Sequence, residues 1–378
     1  MIDLQKCRDE IDLIDRQISE LFKKRMTISS NVAECKRKSG KAIFDKTRED
    51  MVLQKVEGFA DNDFERHCMR ELFSQIMSMS RKLQYTLIND KQMESEFKEV
   101  DNIHSTKDTK VVFLGPNGSF SHQAMEECFG EEVQHFPAKS FKEIMEIVKN
   151  GEADYGMLPI ENTSTGGITD IYDLLVEYDN YIIAEHVLKV EQQLVGLPNT
   201  MIDEIERVYS HEQPIRQCKA FLEQHKNMKP IEVTSTTIGT KKVSEEGDCS
   251  QAAIASRFAA KLYGLDILQE NINTENNNST RFIIISNKPQ RLKGANKIGI
   301  CFVAPHVSGS LYGMLSHLIF NGLNMTKIES RPLEGKAFEY RFFVDFEGDL
   351  NAPAVKNTLY GIREEAIELK ILGNYKEQ

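Results

Sequence analysis

The chain of 378 residues reads as a multi-domain protein: an all-α segment, then a two-lobed α/β segment, then a small βαββαβ segment. Three observations predict this. Residues 1 to about 90 carry only helical periodicity. From Val111 onward short apolar runs alternate with amphipathic stretches, the pattern of an α/β domain. After a polar break at Asn287–Asn296, with Pro289 and Gly294, the order is strand, helix, strand, strand, helix, strand. A chain of this length makes two or three domains, and 40% apolar residues are ample for packed cores.

The first helix is read from Leu4, Cys7, Ile11, Ile14, Ile18, Leu21, Ile28, Val32 and Cys35, a three-four rhythm that forms one stripe facing a partner. Arg25 occupies the beat after Leu21, where an apolar side chain is expected. A guanidinium keeps its charge, so burying it requires an anion. No Asp or Glu on this stripe supplies one, and the simplest reading is an anionic ligand. Residue type alone also allows Arg25 to snorkel out of a loose seam, with Arg8 and Lys36 solvated. Lys36 lies roughly 16 Å along the helix from Arg25, and Arg8 roughly 25 Å in the other direction. A small acid cannot touch Arg8 and Arg25 of one straight helix, but it can if a second copy packs antiparallel. Helix geometry thus suggests a homodimer with shared sites. Gly40 breaks this helix and Asp45 caps the next, near Arg48 and Glu49. A third helix, from about Phe64 to Ile88, places Leu72, Phe73, Ile76, Met79, Leu83 and Leu87 on one face, with Ser80 and Gln84 as neighbours on its flank.

Residues 89–110 read as a continuation of that helix followed by a linker ending near His104–Thr109. The α/β segment then opens with a strand (Val111–Leu114), a glycine turn and a helix through Ala124 to Phe129. Ser140 and Glu143 form a capping box. Further strands are expected at Tyr155–Leu158, Ile182–Val195, Arg207–Tyr209, Ile231–Val233 and Phe282–Ile285, with a helix over Ile168–Leu175. Three polar constellations sit on its loops: Gly115–Ser121, Pro159–Gly167 and Asn278–Phe282. In the last segment the strands are Ile298–Val303, Met325–Glu329, Phe338–Phe346 and Ile367–Ile371, and the helices Leu311–Phe320 and Ala354–Glu365.

Composition excludes several classes. Residues 1–48 hold 12 Lys/Arg against 8 Asp/Glu, while the whole chain is −11, so the positive charge is local and no nucleic acid is expected. No run approaches the eighteen apolar residues of a membrane span. The charged, helical start is not a signal peptide. Seven scattered cysteines read as free thiols of a reducing cytoplasm. Nine histidines without ligand spacing, and no phosphate-cradling glycine loop, predict neither metal nor cofactor.

The set Arg8, Arg25, Lys36, Asp45, Arg48, Glu49, Ser80 and Gln84, in this order and spacing, resembles the all-helical chorismate mutases over residues 1–90. The resemblance implies an intertwined dimer in which Arg25, and Arg8 of the second copy, hold the carboxylates of chorismate. Lys36 and Gln84 would donate to the ether oxygen, Glu49 and Asp45 would meet the ring hydroxyl, and Arg48 and Ser80 would support the pocket. The reaction is intramolecular, so folding the substrate and stabilising charge on the breaking oxygen suffice.

Residues 111–287 resemble the prephenate dehydratases, whose Pro-Ile-Glu-Asn and Thr-Arg-Phe motifs stand here as Pro159–Asn162 and Thr280–Phe282. Ser210–Pro214 and Gln217 match positions that line the cleft. The resemblance implies a bilobed fold like that of periplasmic binding proteins. It makes Thr280 the residue that assists the departing hydroxyl, and Asn162, Thr163, Ser210, Gln217, Arg281 and Phe282 substrate contacts. A threonine is a very weak acid, so a hydrogen-bond donor or relay is preferred to a free general acid. Arg281 is open between a carboxylate partner and a structural ion pair, and His211 between a base and a structural residue.

Residues 297–378 resemble an amino-acid-sensing, ferredoxin-like ACT domain. Gly309-Ser310-Leu311-Tyr312 and Glu329-Ser330-Arg331-Pro332 match phenylalanine-binding motifs, with Ser310 where alanine is common. A plain dimerisation module is the alternative. This segment is expected to be dispensable for catalysis. Together the three resemblances imply a cytoplasmic, cofactor-free enzyme similar to the bifunctional chorismate mutase/prephenate dehydratases, making phenylpyruvate from chorismate and inhibited by L-phenylalanine. A rival class, a metabolite-responsive regulator, would have no use for donors aimed at an ether oxygen.

Overall fold

The computed structural model describes residues 3–88, 96–103, 105–275 and 277–376. The expected continuation of the third helix beyond Ile88, and His104, lie outside them. The chain divides into two compact units, one drawn from the first 96 residues with Ile300–Ile371, the other from Phe97–Gly299 with Leu372–Gln378.

In the first unit α1 runs Leu4–Ser39 without a break. Asp3 caps its start by accepting from Gln5 N, and Gly40, at φ +67°, ends it in the left-handed conformation that glycine adopts without a Cβ clash. Lys36, Arg37 and Lys38 fill the last turn, where cations complement the helix dipole. Asp45 caps α2 (Lys46–Glu57) through Arg48 N at 3.0 Å. The third helix, α3, spans Asp63–Ile88.

The packing of these helices differs from the periodicity. The face of α1 turned to α3 carries Phe22, Arg25, Met26, Ser29, Ala33 and Lys36, of which Ser29 and Ala33 are buried. The stripe Leu4, Ile11, Ile14, Ile18, Leu21, Ile28 and Val32 is exposed within the single chain. On α3, Leu72, Met79 and Leu87 from the expected core face are exposed as well, whereas the polar run Ser80, Arg81, Lys82 and Gln84 is buried with Tyr85.

In the second unit the segment expected to be a linker holds a strand, β1 (Lys98–Val100). It pairs in parallel with a strand at Gln290–Leu292, inside the expected polar break, and Glu99 ion-pairs with Arg291. Chain order continues with β2 (Lys110–Leu114), α4 (Phe120–Phe129), β3 (Gln134–Ala138), α5 (Phe141–Lys149), β4 (Tyr155–Asn162), β5 (Gly166–Gly167), α6 (Thr169–Glu177) and β6 (Tyr181–Lys189). There follow β7 (Gln193–Gly196), β8 (Arg207–Ser210), α7 (Glu212–Gln217), α8 (Lys219–Gln224), β9 (Lys229–Glu232), α9 (Thr236–Glu246), β10 (Gln251–Ala255), α10 (Arg257–Tyr263), β11 (Asp266–Gln269), β12 (Ser279–Ser286) and β13 (Gln290–Leu292).

These strands form two lobes. One sheet has the order β6-β12-β4-β2-β3, the other β11-β7-β10-β8-β9. The expected single strand Ile182–Val195 is two strands, one in each sheet, interrupted at Val190–Gln192. The return crossing, Glu270–Asn278, runs beside it: Ile272 N donates to Gln192 O and Val190 N to Asn278 O, both at 2.9 Å. Gln192 and Gln193 are buried here, because a strand passing between two lobes needs polar partners on both sides.

The remaining elements are β14 (Lys297–Val303), α11 (Ser310–Phe320), β15 (Met325–Pro332), β16 (Tyr340–Glu347), α12 (Pro353–Glu365) and β17 (Glu368–Tyr375). Their strand order, β15-β16-β14-β17, is that of a ferredoxin-like fold. The end of β17 enters the second unit, where Gly373 pairs with Ile182. A Cβ at Gly373 would come within 2.0 Å of Ile182 O, so only glycine fits. Within the first unit, α11 and α12 pack on α3. Tyr85 sits edge-on against Tyr360 at 5.2 Å and near His317 at 6.0 Å. This contact makes the expected dispensability of 297–378 untenable for the helical segment, since removing it would uncover Arg81, Lys82 and Tyr85.

Candidate active sites

In the helical segment α1 brings Arg25 to the flank of α3. Its guanidinium donates to Ser80 Oγ and, at 3.4 Å, to Ile76 O. Among the described residues no carboxylate lies within ion-pair distance of it. Burial depresses its pKa, with Glu49 acting in the opposite sense. Lys36 donates to Ile43 O at 2.5 Å. Burial lowers its pKa too, against the pull of Asp45, Glu49 and Glu364. Gln84 is buried, and among the described residues its Oε1 has no hydrogen-bond partner. Arg25, Lys36, Ser80 and Gln84 are thus placed along one α1–α3 interface. Arg8 is exposed on α1, Arg48 is exposed, and Asp45 serves as a cap.

Glu49 carries a feature that sequence reasoning missed. Both its oxygens accept from Arg81 Nη1, at 2.5 and 2.6 Å. Arg81 lies off the apolar periodicity of α3, so no sequence signal distinguished it from a solvated arginine.

In the second unit a cavity of about 230 Å³ opens between the lobes, lined by Asn162, Gln192, His211, Gln217, Asn278 and Thr280 together with Thr234–Thr236 at the start of α9. Its key hydroxyl is held by strand pairing. β12 runs antiparallel to β4 with Thr280 opposite Asn162. Asn162 Nδ2 donates to Thr280 Oγ1 and to Asn278 Oδ1, each at 2.8 Å, while its Oδ1 accepts from Ser164 N at 2.9 Å. Thr280 accepts at oxygen and keeps its own proton to donate. Apart from His211 the lining carries no ionisable side chain, so anionic groups must be held by neutral donors. The lobes meet at Gly118 (φ +90°): a Cβ there would lie 3.0 Å from Tyr263, whose hydroxyl donates to Asn117 O at 2.9 Å.

Several expected contacts are corrected. Arg281 points to the other side of β12 from Thr280 and pairs with Glu161 at 2.8 Å and Glu185 at 3.3 Å. It is an ion-pair anchor, because strand alternation turns it from the cleft. Phe282 is buried in the hydrophobic core with Phe113, Met125 and Met157, where a bulge after Arg281 shifts the register. Ser210 is fully buried and spends its hydroxyl on Ile254 O at 2.8 Å, so it holds β8 to β10 and does not line the cavity. Thr163 bonds the backbone of Asn277 and Ser279, both at 2.9 Å, and braces the crossing. His211 caps α7 through Gln213 N. Gln192 was missed; two glutamines interrupting an apolar strand were its signal.

In the ferredoxin-like segment Gly309, at φ +79°, starts α11, and Ser310 Oγ donates to Pro305 O at 2.5 Å. Ser310 and Leu311 line a 250 Å³ cavity with Pro305, Val307 and Tyr340, whereas Tyr312 is exposed. Glu329, Ser330, Arg331 and Pro332, expected after a strand, lie within β15, paired with Phe343, Phe342, Arg341 and Tyr340. They do not line that cavity.

Family models match at two places: chorismate mutase type II over residues 7–85 and prephenate dehydratase over residues 111–290. The bifunctional chorismate mutase/prephenate dehydratase of Aquifex aeolicus (strain VF5) is 32% identical, covering 99% of this chain and 98% of its own length. The prephenate dehydratase of Arthrobacter aurescens, solved in complex with L-Phe, is 29% identical with a TM-score of 0.64, covering 71% of this chain and 90% of its own. A solved quorum-quenching acylase, GqqA, is 30% identical with a TM-score of 0.65, covering 71% of this chain and 98% of its own. With a chorismate mutase match over its helices, a prephenate dehydratase match over its two-lobed segment, and full-length relatives that join the two, the chain belongs to the bifunctional chorismate mutase/prephenate dehydratases, enzymes that rearrange chorismate to prephenate and convert prephenate to phenylpyruvate.

Proposed function

We propose that residues 1–90 carry the mutase, 111–287 the dehydratase and 297–378 an ACT-type sensor of L-phenylalanine, in a cytoplasmic homodimer that needs no cofactor. The observation that carries the mutase assignment is the half-buried Arg25 guanidinium, hydrogen-bonded among the described residues to neutral groups only. Chorismate is a dianion. Arg25, and Arg8 from a second copy, grip its carboxylates, with Ser80 orienting Arg25. Lys36 and Gln84 donate to the ether oxygen as its charge grows, Glu49 and Asp45 accept from the ring hydroxyl, and Arg48 flanks the pocket. The carbon–oxygen bond breaks as the new carbon–carbon bond forms, so no nucleophile is required.

In the cleft, prephenate loses its ring carboxylate as carbon dioxide. The electron pair of that bond moves into the ring and expels the hydroxyl, which leaves as water. Thr280, oriented by Asn162, hydrogen-bonds the departing oxygen and passes to it a proton taken up from solvent, so that the hydroxyl leaves as water. Gln217, Gln192 and the start of α9 hold the carboxylates. Aromatisation supplies the driving force. The exposed stripe of α1 supports the dimer: each leucine or isoleucine is worth about 1.5–3 kcal/mol when fully buried, and seven together match the roughly 4–15 kcal/mol cost of association. Seven unpaired cysteines fit a reducing cytoplasm. Among the described residues no helix is long and apolar enough to cross a membrane. Gly309–Leu311, at the start of α11, would meet the effector, with Glu329–Pro332 of β15 lying outside the cavity there, and the L-Phe complex of the Arthrobacter relative supports phenylalanine as that effector.

Supplying the purified chain with chorismate tests the scheme. Prephenate and then phenylpyruvate should appear, and phenylalanine should slow phenylpyruvate formation. Chorismate left unchanged would refute the mutase assignments, and an insensitive enzyme would refute the sensor.

A further inference from the structure

We propose that Arg81 is a positioning residue of the mutase site, fixing Glu49 through both of its oxygens and itself fixed by Glu365 of the ferredoxin-like segment, so that the mutase depends on a side chain supplied more than 280 residues away in sequence. The inference rests on the assignment of Glu49 to the substrate hydroxyl. Arg81 is 9% exposed. Its Nη1 donates to both Glu49 oxygens at 2.5 and 2.6 Å, its Nε to Glu365 Oε1 at 2.8 Å, and its Nη2 to Glu365 Oε2 at 3.3 Å. His317 Nε2 approaches Glu365 Oε1 at 3.2 Å from the far side, and Phe44 lies against the guanidinium at 5.1 Å.

The arrangement answers an electrostatic difficulty. A carboxylate that must accept a hydrogen bond from a dianionic substrate is repelled by it, and the repulsion grows as the site excludes water. A guanidinium facing the carboxylate offsets that repulsion and fixes its orientation, because one nitrogen donates to both oxygens and leaves each a further lone pair for the substrate. A second carboxylate on the opposite edge keeps the fork from turning. Glu365 is 8% exposed at its side chain, and its pKa is held down by His317 and Arg81 against the effect of burial, so it persists as a charge. Neither Arg81 nor Glu365 touches the cluster of Arg25, Lys36 and Gln84 through any hydrogen bond found among the described residues; the Arg81 charge also helps depress the Lys36 pKa, and the Glu49→Gln background separates that field effect from the hold on Glu49.

The test uses full-length enzyme, with dehydratase activity on prephenate as the internal control for folding. Arg81→Met should lower mutase kcat about tenfold or more with KM for chorismate changed less than about threefold, while Arg81→Lys recovers much of the loss. Glu365→Gln should give a smaller loss in the same direction. In a Glu49→Gln background Arg81→Met should cost little further, since residues acting through one group are non-additive. Full mutase activity in Arg81→Met, additive losses in the double variant, or equal damage by Lys and Met at position 81 would each overturn the proposal. Loss of mutase turnover in Glu49→Gln supports the underlying role of Glu49; an unimpaired Glu49→Gln enzyme would sink that role and this proposal with it.

Discussion

Arg25 and Arg81 are guanidiniums buried to different degrees in the same helical segment, and their partners separate binding from support. Among the described residues Arg25 has only Ser80 and Ile76 O, neutral acceptors that leave its charge available. Arg81 has two carboxylates and no charge to spare. Arg25→Ala should therefore cost mutase kcat/KM at least about a hundredfold, the loss of a charge-assisted contact to a bound anion, and leave dehydratase turnover unchanged; equal loss of both activities would mean misfolding. Thr280→Ala should do the opposite. Removing the donor to the departing oxygen should lower dehydratase kcat about a hundredfold, whereas Thr280→Ser retains the hydroxyl and should recover most of it. Assays on chorismate and on prephenate separately read both. The place of Thr280 at the cavity was legible because a motif marks it, whereas the stripe that drew attention to Arg25 is exposed and Arg25 lies instead on the face turned to α3. Arg281 and Phe282 were misread because adjacent strand residues face opposite ways and a bulge shifts the register, neither of which a motif records.

At the scale of elements, α3 buries its polar run and exposes part of its apolar face. Lys82 is the sharpest case. It is 6% exposed, donates to Ser316 Oγ at 2.9 Å, and burial pulls its pKa down to about 8. An unfolded lysine titrates near 10.4. Between those values the unfolded chain binds more protons than the folded one, so the stability contribution rises with pH over that window, and at neutral pH the buried charge is a burden. Lys82→Met should raise Tm by a few degrees at pH 7, and its advantage over the parent should shrink from pH 8 to pH 10. A melting series across pH reads this, and an advantage constant with pH would contradict it. Ser316 loses nothing essential, because its own hydroxyl donates to Gly313 O. Helix limits and caps were legible from Asp45, Gly40 and Ser140, since caps are local chemistry. The division of Ile182–Val195 between two sheets was not, since a strand that changes sheet keeps the same apolar run.

For the whole molecule, the apolar stripe of α1 is the surface on which the proposed dimer would form. Ile18→Lys puts a charge in the middle of seven exposed apolar side chains. It should dissociate the dimer in sedimentation and lower mutase activity, while the dehydratase, whose cleft is built within one unit, keeps its rate. A dimer that survives the substitution would place the interface elsewhere. The helical segment is also less independent than its length suggests, because α12 supplies Glu365 to the neighbourhood of Glu49.

By itself the sequence determined the order of helical, α/β and ferredoxin-like stretches and the place of Thr280 beside Asn162 on paired strands, because periodicity, caps and spaced motifs are written in neighbouring residues. Only the tertiary structure decided that Arg281, Phe282 and Ser210 support the fold and do not face the cleft, that Gln192 lines it, and that Arg81 joins Glu49 to Glu365. Each of those depends on which chain segments approach across tens to hundreds of residues, and a side chain's direction is fixed by that approach, which residue type alone does not carry.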